Sequence, residues 1–123
     1  MNFNDNKAIY LQIADQIMDG IVDGTYPPGG RIPSVREFAA SVEVNANTVM
    51  RSYEHLERDG IIFNRRGIGF FVADDAIEIV SKARSDTFFD DELPYFLSRL
   101  SSLGISPEEL INIYQSYLSK QKK

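Results

Sequence analysis

Between Asn45 and Gly60 the chain reads NANTVMRSYEHLERDG, and its side chains fall into two sets. Val49, Tyr53 and Leu56 recur at i, i+4 and i+7, the stripe that a helix buries. Asn47, Met50, Arg51 and Glu54 point the other way. A helix with only a structural part to play fills its solvent face with interchangeable charges. This one crowds amide, hydroxyl and guanidinium groups into its first two turns. Such groups suit the edges of base pairs. Asparagine can bond adenine through two atoms at once, threonine offers a hydroxyl and a methyl, and arginine reads guanine or grips phosphate. Ala46 can make only an apolar contact, such as one to a thymine methyl.

Other residues extend the constellation. Ser34 and Arg36 open the preceding helix, where free amides and the helix dipole favour a phosphate. Arg65 and Arg66 fall at the tip of a predicted hairpin, a place that suits a minor groove. Each residue also has a plainer reading. Asn45 serves equally as a helix cap or as a contact, Thr48 fits local capping, and Ser34 is first of all a cap. Arg51 alone would be an ordinary surface arginine, and Glu54 with Arg58 a solvated pair at i, i+4. His55, the lone histidine, reads as surface decoration, with no metal-ligand spacing near it. The set together outweighs its members taken singly.

Size and composition bound the answer. The 123 residues suggest one domain, or a small domain with an appendage, and 43% apolar content supports a globular core. The absence of cysteine excludes disulfides and thiolate chemistry and fits a reducing compartment. No apolar run is long enough to span a bilayer, and MNFNDNKAIY lacks the basic-then-apolar pattern of a signal peptide. The expected location is cytoplasmic, with no membrane partner. A net charge of −5 argues against a nonspecific polyanion binder. The charge is uneven, however. Residues 1–30 hold one lysine against four aspartates, whereas residues 31–66 hold six arginines against five carboxylates.

These residues require elements to position them. Tyr10, Ile13, Ala14, Ile17 and Ile21 mark a first helix from Ile9 to about Asp23, stopped by Gly24 and by TYPPGGRIP. A short second helix starts at SVRE, where Ser34 and Glu37 form a capping box. VEVN is a tight bend. The third helix is the opening stretch, from an Asn45 cap to Gly60. The period then changes to two: IIFN and GFFV, joined through RRGIG, predict a hairpin. Three helices with a tight bend before the third, followed by a hairpin, make a winged helix-turn-helix.

Asp74–Asp75 marks a boundary, giving a DNA-binding domain over 1–73 and a helical dimerisation domain over 74–123. A helical stretch from Ala76 to about Leu103 contains Pro94, which should kink or divide it. Gly104 ends that stretch; Ser106, Pro107 and Glu109 start the next with a second capping box. The fold class is therefore mostly α with a small β-hairpin: an N-terminal winged helix-turn-helix and a two-helix antiparallel tail. The tail carries more apolar groups than two helices can bury by themselves. Ile77, Val80, Phe88, Phe89, Phe96, Leu97, Tyr114 and Tyr117 are the candidate interface residues, and a second copy of the chain is the simplest partner.

The run from YLQIADQIMDGIVDGTYPPGGRIPSVREFAASVEVNANTVM to RSYEHLERDGIIFNRRGIGFFV resembles the DNA-binding domain of GntR-type bacterial transcription regulators. PPGGRIPSVREFA, NANTVMRSYEHLERDGII and RRGIGFFV carry the likeness, and ELPYFLSRLSSLGISPEELINIY is similar to the short two-helix tail of the YtrA subfamily. The resemblance implies a homodimeric repressor on double-stranded DNA. It places contacts at Arg36, Ala46, Asn47, Thr48, Met50, Arg66 and Gly67, with Ala46 and Met50 where some members carry arginine. Asn45, Asn47, Thr48 and Arg51 fit the subfamily's NxNTVxR pattern.

Two other classes compete with this reading. Asp74–Asp75 and Asp90–Asp91–Glu92 could be imagined as an acid/base or metal site, but adjacent helical residues point apart and no histidine, cysteine or glycine-rich phosphate loop accompanies them. No enzyme activity, metal or cofactor is expected. The other rival is a winged helix used only for protein contacts. A small-molecule effector is left open: larger GntR members sense metabolites in a separate domain, whereas the tail here is short for an enclosed pocket.

Overall fold

The computed structural model describes residues 7–121. The reading of the extreme N-terminus as free of a leader falls partly on residues 1–6, outside the described residues. By its contacts the chain forms two compact units, Met1–Ala83 and Arg84–Lys123.

The first unit opens with α1 (Ile9–Val22), whose Ile13, Ala14, Ile17 and Ile21 are fully buried on one stripe. Tyr10, expected on that stripe, is only half-buried. The helix stops at Asp23 and Gly24, and Asp23 Oδ1 accepts the Thr25 amide at 2.8 Å. The chain then folds back so that the Tyr26 ring covers Gly20, where a Cβ would meet ring carbons at 2.6 Å.

α2 (Val35–Val42) starts with the expected capping box: Ser34 Oγ accepts the Glu37 amide at 3.1 Å, and Glu37 Oε1 accepts the Ser34 amide at 3.0 Å. It ends at Glu43, whose φ of 56° puts a non-glycine residue in the left-handed region. That single residue makes the tight bend. α3 (Ala46–Arg58) follows at once, capped by Asn45 Oδ1, which accepts the Asn47 amide at 2.8 Å. It closes through Asp59 and Gly60, with φ 76° at the glycine.

β1 (Ile62–Arg65) and β2 (Gly69–Val72) form the antiparallel hairpin, in a register pairing Ile62 with Val72 and Arg65 with Gly69. Ile68 donates to the Arg65 carbonyl across the tip at 2.8 Å, and Gly67 takes φ 80° there. The segment around Arg31, read from the sequence only as unable to continue a helix, lies beside β2 and forms an isolated antiparallel bridge between Arg31 and Phe71. Gly29 and Ile32 donate to Val72 and Phe70 carbonyls at 2.8 and 3.0 Å, and Val72 donates back to Gly30 at 2.9 Å. The helix ended before TYPPGGRIP as expected, and the amides of Gly29 and Ile32 within that segment meet the free edge of β2.

α4 (Ala76–Thr87) begins inside this first unit. Ala76 and Val80 are fully buried with Ile32, Val49, Tyr53, Leu56, Ile61, Ile62 and Val72 in its core. The first unit therefore reaches past the Asp74–Asp75 boundary read from the sequence. Val80, a candidate dimer-interface residue, is enclosed by the chain itself and has no exposed surface in the single chain. Ile77, three residues before Val80, is 41% exposed.

The second unit contains a wider π-helical turn, Phe88–Glu92, then α5 (Leu93–Ser102) and α6 (Pro107–Gln121). Pro94 has no amide hydrogen, and its ring crowds the carbonyl four residues back. The chain meets this with the π turn rather than a break: the Leu93 amide reaches the Phe88 carbonyl, five residues back. After α5, Gly104 at φ 73° turns the chain, and Ser106 with Glu109 forms the second capping box at 3.1 and 3.2 Å. Among the described residues after Val80, no side chain is fully buried. The architecture is the expected winged helix-turn-helix with a helical tail.

Candidate nucleic-acid interface

α3 packs against α1, α2 and β1, and these contacts set which of its faces is left outside. Val49, Ser52, Tyr53 and Leu56 face the core. Ser52, the buried polar residue there, directs its single hydroxyl proton to the Tyr10 carbonyl at 2.7 Å, with the Thr48 carbonyl at 3.1 Å as a second, longer acceptor of the same proton. Asn45, Ala46, Asn47, Met50 and Arg51 are exposed, and Thr48 is half-buried.

The exposed groups differ in how far the chain already occupies them. Asn45 Oδ1 is committed to the cap, which leaves only its NH₂ for another partner. The Asn47 side-chain amide has no hydrogen-bond partner among the described residues, so both its donor and its acceptor face solvent. Met50 is 40% exposed, a thioether placed for apolar contact. Arg51 has no carboxylate partner among the described residues; its guanidinium lies 4.0 Å from the centroid of the Tyr10 ring. The expected Glu54–Arg58 pair does not form; His55 instead approaches Asp59 at 3.7 Å, also at i, i+4.

At the start of α2, Ser34 is held in its capping box while Arg36, exposed on the second residue of the helix, has no ion pair among the described residues. The Ser34 backbone amide, then its hydroxyl, and to a lesser degree the Arg31 charge hold the Glu37 carboxyl below the ordinary carboxylate range. Arg31, which the sequence offered only as part of a charge count, sits with its guanidinium 4.0 Å from Glu37. It also lies over Gly69, where a Cβ would come within 2.9 Å of its Nε.

The two wing arginines separate. Arg65 is folded back over the stacked Phe63–Phe71 pair, 5.7 and 5.2 Å from the two ring centroids. Arg66 and Gly67 form the exposed tip beside Ile68, 59% exposed. The arrangement offers hydrogen-bonding and apolar groups at the start of one helix, a cation on the preceding helix and a cation on a hairpin tip. Such a set matches base edges and phosphates. Among the described residues, no cluster of histidine, cysteine, aspartate and glutamate has the geometry of a metal site, and no helix is long and apolar enough to cross a membrane.

Comparison with known proteins agrees with this geometry. The profile of bacterial regulatory proteins of the gntR family matches residues 9–72. The chain is 43% identical over 109 residues to the HTH-type transcriptional regulator YhcF of Bacillus subtilis, covering 89% of this chain and 88% of that one. It is 33% identical over 105 residues to the HTH-type transcriptional repressor YtrA of the same organism, covering 85% and 80%. Among solved structures, a GntR-family chain from Bacteroides thetaiotaomicron aligns with a TM-score of 0.80 at 49% identity, over 93% of this chain and 99% of that one. YtrA from Sulfolobus acidocaldarius aligns with a TM-score of 0.55 at 26% identity over 100% and 98%. With the helix-turn-helix, the wing and the exposed polar face all in place, the chain belongs to the gntR family of bacterial regulatory proteins, DNA-binding transcription regulators rather than enzymes.

Proposed function

We propose that the protein is a cytoplasmic homodimeric repressor that binds a pseudo-palindromic operator. One α3 enters the major groove of each half-site, and the wing tip enters the adjoining minor groove. The observation that carries this reading is the exposed start of α3, where the Asn47 amide has no hydrogen-bond partner and the Arg51 guanidinium no carboxylate partner among the described residues. Asn47, Thr48, Met50 and Arg51 would read bases with Ala46 in apolar contact; Ser34, Arg36, Asn45, Arg65, Arg66 and Gly67 would hold the backbone. The absence of a fully buried side chain among the described residues after Val80 supports the dimer, since Phe88, Phe89, Phe96, Leu97, Tyr114 and Tyr117 are each more than two-fifths exposed. An isologous pairing of two tails would cover them and repeat the helix-turn-helix across a two-fold axis.

Selection of bound duplexes from a random pool, followed by footprinting, tests the proposal. The expected result is an inverted repeat with half-sites about one helical turn apart, or a multiple of it. Deleting the gene should raise expression of a reporter placed behind that repeat. An enriched site without two-fold symmetry, or a reporter that falls on deletion, would overturn the corresponding part.

A further inference from the structure

Tyr10 and Arg51 lie forty-one residues apart in sequence and stack in space. The Arg51 guanidinium carbon sits 4.0 Å from the Tyr10 ring centroid. The ring is itself held from α3. His55 meets it at 80° with centroids 6.1 Å apart, and the buried Ser52 hydroxyl bonds the Tyr10 carbonyl at 2.7 Å. Two α3 residues thus fix a tyrosine of α1, and that tyrosine carries a third α3 residue on its face. Ala8, Ile9 and Tyr10 line one side of an open cleft of about 400 Å³ whose other side is Asn47, Thr48 and Arg51. The start of α1 therefore borders the exposed face of the recognition helix.

The chemistry of the stack differs from that of an ion pair. A carboxylate would fix the arginine by neutralising it and occupying its N–H groups. An aromatic face attracts the cation through the ring quadrupole and leaves the donors, which lie in the guanidinium plane, directed outward. A stacked arginine keeps its charge and its hydrogen bonds while losing much of its rotamer freedom before any ligand arrives.

We propose that Tyr10 is a positioning residue for DNA binding, its ring holding the Arg51 guanidinium extended at the start of the major-groove face. The role rests on the reading of Arg51 as a DNA contact. Tyr10 acts through Arg51, and its hydroxyl is not needed.

The test is a double-mutant cycle on the full-length protein, using a duplex selected by the wild-type chain and one fixed salt concentration. Arg51→Ala should weaken binding at least tenfold. Tyr10→Leu should weaken it about three- to tenfold, and Tyr10→Phe should stay within about twofold of wild type. In the Arg51→Ala background, Tyr10→Leu should cost nothing further. The free protein supplies a readout that a structural role would not move: the Arg51 side-chain protons should carry an upfield ring-current shift, kept in Tyr10→Phe and lost in Tyr10→Leu. If Arg51→Ala binds as wild type does, the DNA contact itself fails and the proposal falls with it. If Arg51→Ala weakens binding but Tyr10→Leu costs as much with or without Arg51, the contact stands and the proposal alone is overturned. A Tyr10→Phe variant as weak as Tyr10→Leu, with the ring-current shift intact, overturns it as well.

Discussion

The hydroxyl of Tyr53 donates a 2.6 Å hydrogen bond to the carbonyl of Pro33, the residue just before the Ser34 cap of α2. Tyr53 belongs to α3, so this bond ties the recognition helix to the start of its partner helix. The same ring stands edge-on to Phe70 of β2 at 5.1 Å and tilted against Phe38 of α2 at 6.4 Å. One buried side chain therefore fixes α2, α3 and the wing against one another, and the exposed α3 face inherits its orientation from that junction.

Tyr53→Phe should keep the fold and destabilise it by about 1–3 kcal/mol, because the Pro33 carbonyl loses its donor inside the protein. Burial pushes the phenol's ionisation above its ordinary value of 10.0. A raised value means that this stabilisation is whole below the ordinary value and is lost as pH rises beyond it. Urea midpoints measured from neutral to alkaline pH should show that loss in the wild type and a flatter alkaline limb in the variant.

Asn47→Ala should leave stability nearly unchanged, since the position is exposed and alanine favours helix. It should cost about 1–3 kcal/mol on the selected site and much less on random DNA. The ratio of the two affinities at one salt concentration is the measurement. An unchanged ratio in a folded variant would pass base reading to Thr48 and Arg51.

Replacing Arg65 and Arg66 together by alanine should weaken selected and random DNA alike and lower the salt slope by roughly 0.9 for each phosphate no longer neutralised. Arg66→Ala should account for most of that change, because Arg65 is stacked on Phe63 and Phe71 whereas Arg66 is at the tip. A salt titration of the single and double variants separates the two residues.

Phe89→Glu combined with Phe96→Glu should convert the proposed dimer to a monomer without unfolding the winged domain. Both rings are exposed in the single chain, at 60% and 47%, so charging them costs the isolated chain little. Sedimentation at micromolar concentration reports the mass, and circular dichroism reports the fold. A wild-type chain that sediments as a monomer would remove the dimer from the proposal.

Glu37→Gln keeps the capping geometry but cannot titrate. The Ser34 amide and hydroxyl hold the Glu37 carboxyl below its ordinary value of 4.5. A lowered value means stabilisation that is whole above the ordinary value and is lost as pH falls through the lowered one. Acid should therefore erode the wild type more steeply than the variant, and urea midpoints taken as pH drops below 4.5 check the difference.

Much of this protein is written in short-range signals. The two capping boxes, the Asn45 cap, the glycine stops and the change of period at Ile61 each depend on residues within a turn of one another, where local hydrogen bonding and sterics decide the outcome. The exposed polar start of α3 was legible for the same reason: helical spacing alone separates Asn47 and Arg51 from Val49 and Tyr53. The tertiary structure decided what depends on distant residues. It placed Val80 in the first core instead of on a free surface, ran the Arg31 segment along β2, and turned Arg65 back onto two phenylalanines. It also set Tyr10 beneath Arg51, a pairing across forty-one residues that no local pattern marks. Helix and turn formation are settled by neighbours in the chain, whereas the packing of one element on another depends on which surfaces remain to be covered once those elements exist.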